Sequence, residues 1–387
     1  MKRMYRLICS GIFIGILVFF VGCVKDISQL PINFQTNPSV LSLCAIPENL
    51  TQSITLGTSN SVVSPLTESP AAAAGSLDVA MFPDESLTDS GIVTLIYTQN
   101  SSSLLFSHLS RARSGMGGGS VDNKIFFAGG QMQVPGSFNY GFSAVVDIFN
   151  TSFNLLPTLP RTVASLSVPR ALPAVGSAGH VIAFGGGIVA GDPYANSNTV
   201  DIYNNGNNTW STAQLSIGRG FLAAAGWGTK ILFGGGEDIS TTIPTDRIDI
   251  YDINSNSWTI SRLSQARSHL AAASTCNKIF FAGGVLANAT ASDRVDIYDV
   301  PSGTWSMAQL SEPRIDLFGV AAGNRIFFGG GYKDIALNPS MTMDVYDISS
   351  GTWSVIQLSG RRLAGAPALN RVLFNGDYQV DVFELNQ

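Results

Sequence analysis

Short apolar runs recur along this chain at nearly constant spacing. They begin at Ile125, Ile182, Ile231, Ile279, Ile326 and Val372, so the period is 46 to 57 residues. Periods of that size mark stacked supersecondary units rather than a single irregular domain. The clearest copy runs from Asn277 to Arg314: Asn-Lys-Ile-Phe-Phe-Ala-Gly-Gly, a loop, Val-Asp-Ile-Tyr-Asp, Trp305, then Leu-Ser-Glu-Pro-Arg. Each unit predicts four strands. The first follows an arginine and is small and apolar, as in Ser268 to Thr275, and ends in a tight turn such as Asp122-Asn-Lys124 or Gly323-Asn-Arg325. The second is the Ile-Phe-Phe run, the third is the alternating Val-Asp-Ile-Tyr, and the fourth starts at the Trp. Long amphipathic helical patterns are absent.

Two features repeat with the strands. Glycine pairs close the second strand at Gly129-Gly130, Gly186-Gly187, Gly235-Gly236, Gly283-Gly284 and Gly330-Gly331. Glycine there permits positive φ and close backbone approach near a crowded axis. A phosphate-cradling role is disfavoured, because neither a helix start nor Gly-Lys-Ser/Thr follows. Tyr203, Tyr251, Tyr298 and Tyr346 each stand seven residues before a Trp (Trp210, Trp258, Trp305, Trp353), a spacing that crosses a hairpin and fills the space between adjacent sheets. Truncating one such Trp to Ala is expected to cost about 3 to 5 kcal/mol.

A di-glycine after a hydrophobic run, a spaced Tyr and a Trp seven residues on resemble the kelch repeat, from about Leu104 to the C-terminus. The resemblance implies an all-β fold, a six-bladed β-propeller of kelch type, with one four-stranded blade per repeat. The first copy departs most, with Phe149 and Leu156 in the aromatic positions, and the last has Asn375-Gly376 in place of the glycine pair. Only four residues follow Phe383, so the last blade lacks a fourth strand. Leu104 to Ser110 precedes the first arginine as an orphan strand, and pairing the two is expected to close the ring.

Ahead of the repeats, Lys2, Arg3 and Arg6 precede an apolar run from Leu7 to Val21, the layout of a secretory signal. It ends in Phe20-Val21-Gly22-Cys23, which resembles the lipobox of bacterial lipoproteins, with Phe20 where Leu is usual. That reading makes Cys23 the lipidation site. An uncleaved anchor spanning Leu7 to Val24 is the competing reading. Either places the remainder outside the cytoplasm, in the cell envelope or secreted. The expected organisation is a signal over residues 1–23, a Ser/Thr/Pro-rich flexible tether over 24–90, and the propeller over 91–387. Gly91 to Thr98 reads as a strand, with Tyr97 a decayed relative of the repeat.

Composition narrows the function classes. A net charge of -5 and a pI near 5.2 give no basic footprint, so nucleic acid is excluded as a partner. Four cysteines are too few and too scattered for a disulfide framework or a zinc site, and Cys276 reads as a small buried hydrophobe in its strand. His108, His180 and His269 have no metal-ligand spacing and read as structural or exposed. No metal or cofactor is expected, and the body is expected to be a monomer.

One arginine per repeat closes the Leu-Ser-x-x-Arg connection: Arg113, Arg170, Arg219, Arg267, Arg314 and Arg362. On the face bearing the second-to-third-strand loops, a ring of guanidiniums would suit a carboxylate, a phosphate or an acidic peptide loop. The competing reading is that each ties its own connection to backbone carbonyls or to an aspartate. Asp147, Asp201, Asp249, Asp296, Asp344 and Asp381 share the period and read as structural or solvated. Non-repeating loop residues offer the asymmetry that recognition needs: Tyr140, Phe142, Tyr194, Glu237, Asp238, Tyr332, Lys333, Asp334, Asp377 and Tyr378. The resulting expectation is a non-catalytic binding module for a protein or glycan at the cell surface. The alternative is a secreted sugar-acid epimerase or mutarotase, with Arg219 or Arg267 binding the carboxylate and Glu237 or Glu312 moving the proton.

Overall fold

The computed structural model describes residues 49–55, 74–76, 79–82, 93–98, 105–133, 140–152, 160–191, 194–358, 360, 362–368, 371–376 and 380–386. The expected signal, including Cys23, lies outside them. So do Asp377 and Tyr378, and the side chains of Tyr140 and Arg362. No helix among the described residues is long and apolar enough to cross a membrane.

The described chain forms an all-β fold of antiparallel four-stranded sheets, as the repeat predicts. Seven such sheets are present, one more than the six blades expected. Five follow the repeat in sequence order over residues 117–165, 174–214, 223–262, 271–314 and 318–357. Their innermost strands touch in succession around the ring: Gly117–Val121, Ala174–Ala178, Ala223–Trp227, Ala271–Thr275, Phe318–Ala322 and then Arg362–Ala368. The circle is completed by Ala74–Ser76, which touches both Arg362–Ala368 and Gly117–Val121.

Two expectations about closure are therefore corrected. Leu105–His108 does not pair with the C-terminal strand. It is the outer strand of an additional sheet with Val93–Thr98, Val79–Phe82 and Ala74–Ser76. The strand that completes the last sheet is Asn49–Thr55, which pairs with Val380–Asn386. Asn49–Thr55, Ala74–Ser76 and Val79–Phe82 fall inside the stretch expected to be a tether. Their strands are short and carry neither the glycine pair nor the Tyr–Trp pair, so nothing local marks them. The principle survives: the ring closes by pairing N-terminal with C-terminal chain, which removes an exposed edge.

Within a blade the register is that expected. Tyr203, Tyr251, Tyr298 and Tyr346 stand directly opposite Trp210, Trp258, Trp305 and Trp353, with ring centroids 4.9 to 5.1 Å apart. Tyr251 and Trp258 pack with Ala213 and Val200 of the preceding sheet, so the pairs do fill the wedge between blades. The Trp rings are only half-buried, which places their truncation at the low end of the cost expected for a core aromatic. Phe149, at the Tyr position of the weakest copy, is fully buried and meets Phe127 edge-on.

The face away from the second-to-third-strand loops carries its own repeated fastening. Asp252, Asp299 and Asp347 end third strands and accept backbone N–H groups of the following turn. Each also pairs with a cation on the second strand: Lys230, Lys278 and Arg325. Cys276 lies in a hairpin turn on this face, half-buried, with φ 47°, and is disulfide-bonded. That corrects its reading as a strand hydrophobe.

Candidate functional site

The repeated arginines are the first test of any site. Arg113, Arg170, Arg219, Arg267 and Arg314 have no exposed surface. Each pairs with the third-strand aspartate of its own sheet: Asp147, Asp201 (2.7 Å), Asp249, Asp296 and Asp344. The second carboxylate oxygen of each Asp accepts the backbone N–H of the serine in Leu-Ser-x-x-Arg, at 2.8 to 3.0 Å. The terminal guanidinium nitrogens also donate to backbone carbonyls, while the Nε of each of the five is buried without a hydrogen-bond partner. Arg219, for example, donates to Gly235 and Arg247, both at 2.7 Å. Burial pulls all five guanidiniums below their ordinary value, Arg219 and Arg267 to about 10, while the paired carboxylates oppose the shift. They stay charged at neutral pH and are spent inside the fold. The expected ligand-binding ring of arginines is thus replaced by five internal locks, because each charge has a buried partner within its own blade.

The glycine pairs complete the lock. In four copies the second glycine donates its N–H to the carbonyl of the next blade's arginine, at 2.8 to 2.9 Å (Gly130 to Arg170, Gly187 to Arg219, Gly236 to Arg267, Gly284 to Arg314). A Cβ on Gly235 would stand 2.4 Å from the Arg267 oxygen, and its φ of 65° disfavours any other residue.

Immediately after this lock the pattern changes. The residue two positions beyond each arginine lies just ahead of the innermost strand, at the loop-side end of the ring axis. All five have a left-handed backbone: Gly115 (φ 61°), Leu172 (51°), Phe221 (51°), His269 (54°) and Asp316 (48°). Backbone hydrogen bonds link them from blade to blade, Leu172 N–H to Gly115 O, His269 N–H to Phe221 O and Asp316 N–H to His269 O, at 2.7 to 3.0 Å. Left-handed conformation in bulky non-glycine residues is held only where the surroundings enforce it, and such positions concentrate at ligand sites.

Three of the five side chains form one assembly. The Phe221 and His269 rings stack at 4.1 Å and 17°. His269 Nδ1 lies 2.8 Å from Asp316 Oδ1, and both side chains are about a quarter exposed, 24% and 25%. Among the described residues, His269 Nε2 has no hydrogen-bond partner. Burial works to lower the imidazole's proton affinity. The hydrogen bond and charge of Asp316, with the charge of Glu237 added, overcome it and hold His269 above its ordinary value. Beside it, Ser268 Oγ is buried without a partner.

The loop residues expected to recognise a ligand are divided by the structure. Tyr194 stands 53% exposed, its ring edge-on to Phe142 at 5.6 Å. Lys333 is exposed but bound to Glu312 at 3.2 Å, and Glu312 also accepts from Ser340 at 2.6 Å. Asp238 is exposed and Asp334 half-buried, and both are bound within their own loops, to Ser240 and Asn338. Glu237 and Tyr332 are buried, each bridging by backbone to the residue after an arginine, Gly220 and Ile315. These two are corrected from surface contacts to parts of the frame. Sequence reasoning missed Phe221 and Asp316 and set His269 aside. The available signal was the fixed offset from each arginine, occupied by glycine in one copy. No group of three or more His, Cys, Asp or Glu able to hold a metal ion occurs among the described residues.

Comparison with known proteins agrees with this construction. The family described as the Kelch motif matches residues 266–309, which take in most of the sheet over 271–314. No curated protein matches the chain. Among solved structures, the one titled "Structure of YjhT" is similar in fold, with a TM-score of 0.58 at 14% identity, covering 76% of this chain and 99% of that one. The chain carries a kelch motif over residues 266–309 and is built as an all-β propeller.

Proposed function

We propose that this propeller is a non-catalytic recognition module, held at the cell surface, that binds a protein or glycan through its loop face. The observation that carries the reading is the contrast at the ring axis. Five equivalent left-handed positions share one backbone and hold five different side chains, whereas the frame around them repeats. A fold requires equivalence, and recognition requires asymmetry. Tyr194 and Lys333 extend the same face outward. Titration of the full chain with captured cell-surface ligands, with product analysis of each mixture, tests the reading. Saturable binding with the ligand recovered unchanged supports it, and chemical conversion of the ligand contradicts it.

A second reading, an enzyme acting on a sugar acid, draws support from the His269–Asp316 pair. A carboxylate on Nδ1 with Nε2 left open is the arrangement of an oriented acid–base imidazole. Arg219 and Arg267 are spent in their locks and do not supply that enzyme's carboxylate site.

The surface attachment rests on the lipobox-like Phe20-Val21-Gly22-Cys23. Cys23→Ser is expected to leave the precursor unprocessed or to release the protein from the membrane fraction. Unchanged processing and fractionation would favour the uncleaved anchor.

A further inference from the structure

The axial assembly narrows the chemistry of the ligand. The carboxylates facing His269 are Asp316, bound to its Nδ1, and Glu237. The arginines beneath are each matched by their own aspartate. With one imidazole against two carboxylates, the mouth is acidic whether His269 is protonated or neutral. An anionic ligand would be repelled. Because the Asp316 carboxylate only accepts hydrogen bonds, it takes the Nδ1 proton and fixes the neutral imidazole with Nε2 as acceptor. When protonated, Nε2 donates. A hydroxyl group serves either state, since it both donates and accepts. Stacked on this imidazole, Phe221 is half-buried and presents apolar surface, which suits the C–H face of a sugar ring.

We propose that the axial mouth is a binding site for a neutral carbohydrate, with His269 Nε2 hydrogen-bonded to a ring hydroxyl and Asp316 fixing the imidazole's orientation. This rests on the recognition reading above and deepens it. His269 is then a ligand contact, and Asp316 is a positioning residue acting through it.

The test uses the full chain against immobilised neutral oligosaccharides and their sialylated or uronic-acid counterparts. The neutral series is expected to bind and the anionic series to be rejected. His269→Asn keeps a residue tolerant of left-handed backbone and is expected to weaken binding tenfold or more without lowering the thermal midpoint at pH 8.5, where the charged pair has ceased to contribute. Nitrogen NMR of the His269 imidazole supplies a readout independent of affinity. The neutral side chain is expected to carry its proton on Nδ1, to lose that preference in Asp316→Asn, and to shift at Nε2 when sugar is added. A preference for the anionic series, full binding by His269→Asn, or an Nε2 signal insensitive to sugar would overturn the proposal. If no oligosaccharide binds while a protein partner is held through the loop face, the carbohydrate assignment falls and the recognition reading stands. If neither binds, both fall.

Discussion

Two positions separated by a single residue behave in opposite ways around this ring. At Arg113, Arg170, Arg219, Arg267 and Arg314 the residue, its burial and its aspartate partner are the same in every described copy. Two residues later the backbone is again the same, but the side chain is Gly, Leu, Phe, His or Asp. The first position shows what the fold demands of every blade. The second shows what the fold permits once its backbone is fixed, and so where asymmetric chemistry can be placed. Each lock bonds the connection that carries the following variable residue, so the frame enforces the strained conformation that the site uses.

The largest effect expected from breaking this division lies at the lock. Arg267→Met leaves Asp296 buried and uncompensated and removes the donors to Gly283 and Arg294. It should destabilise by about 3 to 5 kcal/mol in urea unfolding. Pairing it with Asp296→Leu should restore part of that loss, because the unpaired charge then disappears. A single-variant cost below about 1 kcal/mol would mean that the pair is not a lock. Next is Gly235→Ala, which forces a Cβ against the Arg267 carbonyl at a positive φ. A loss of about 1 to 3 kcal/mol is expected, and a neutral result would show that the blades have room to part.

Smaller effects are expected at the variable positions. Phe221→Gly removes a side chain but relieves left-handed strain, so a thermal midpoint within a few degrees of the parent is expected. The pH dependence at His269 has a definite sign. Its folded-state affinity for a proton is raised, so the stabilisation it contributes is fully present below the unfolded value, about 6.5. It is lost as pH rises through the folded value. Asp316→Asn should therefore destabilise more at pH 6 than at pH 8.5. An equal loss at both, measured by thermal unfolding, would mean that the imidazole is not charged by its partner.

Much of the frame was legible in the sequence because it is written locally. Alternating Val-Asp-Ile-Tyr strands, glycine pairs and Trp spacing name strand, turn and register within one repeat. The burial of the arginines is not written locally, since Arg219 meets Asp249 thirty residues on. The matched periods of arginine and aspartate were the clue that the two belong together. Of the additional sheet, Val93–Thr98 and Leu105–His108 were read as strands, but Ala74–Ser76, Val79–Phe82 and the closing strand Asn49–Thr55 went unread because their register is imposed by neighbours already in place. The axial site was hidden for a different reason. Leu172, Phe221, His269 and Asp316 share nothing in residue type; their fixed offset from each arginine was the one trace in the sequence, and their common φ shows that they occupy one position.

The central claim, that the locks serve the fold and the variable axial residues serve recognition, is met most directly by one variant. Phe221→Gly, His269→Gly and Asp316→Gly together place in three blades the residue that Gly115 already supplies in another. Equilibrium binding of this triple variant to a ligand captured by the parent should be lost while the thermal midpoint is kept or raised. Binding at parental strength by the folded variant would contradict the account and move recognition away from the axis to the outer loops.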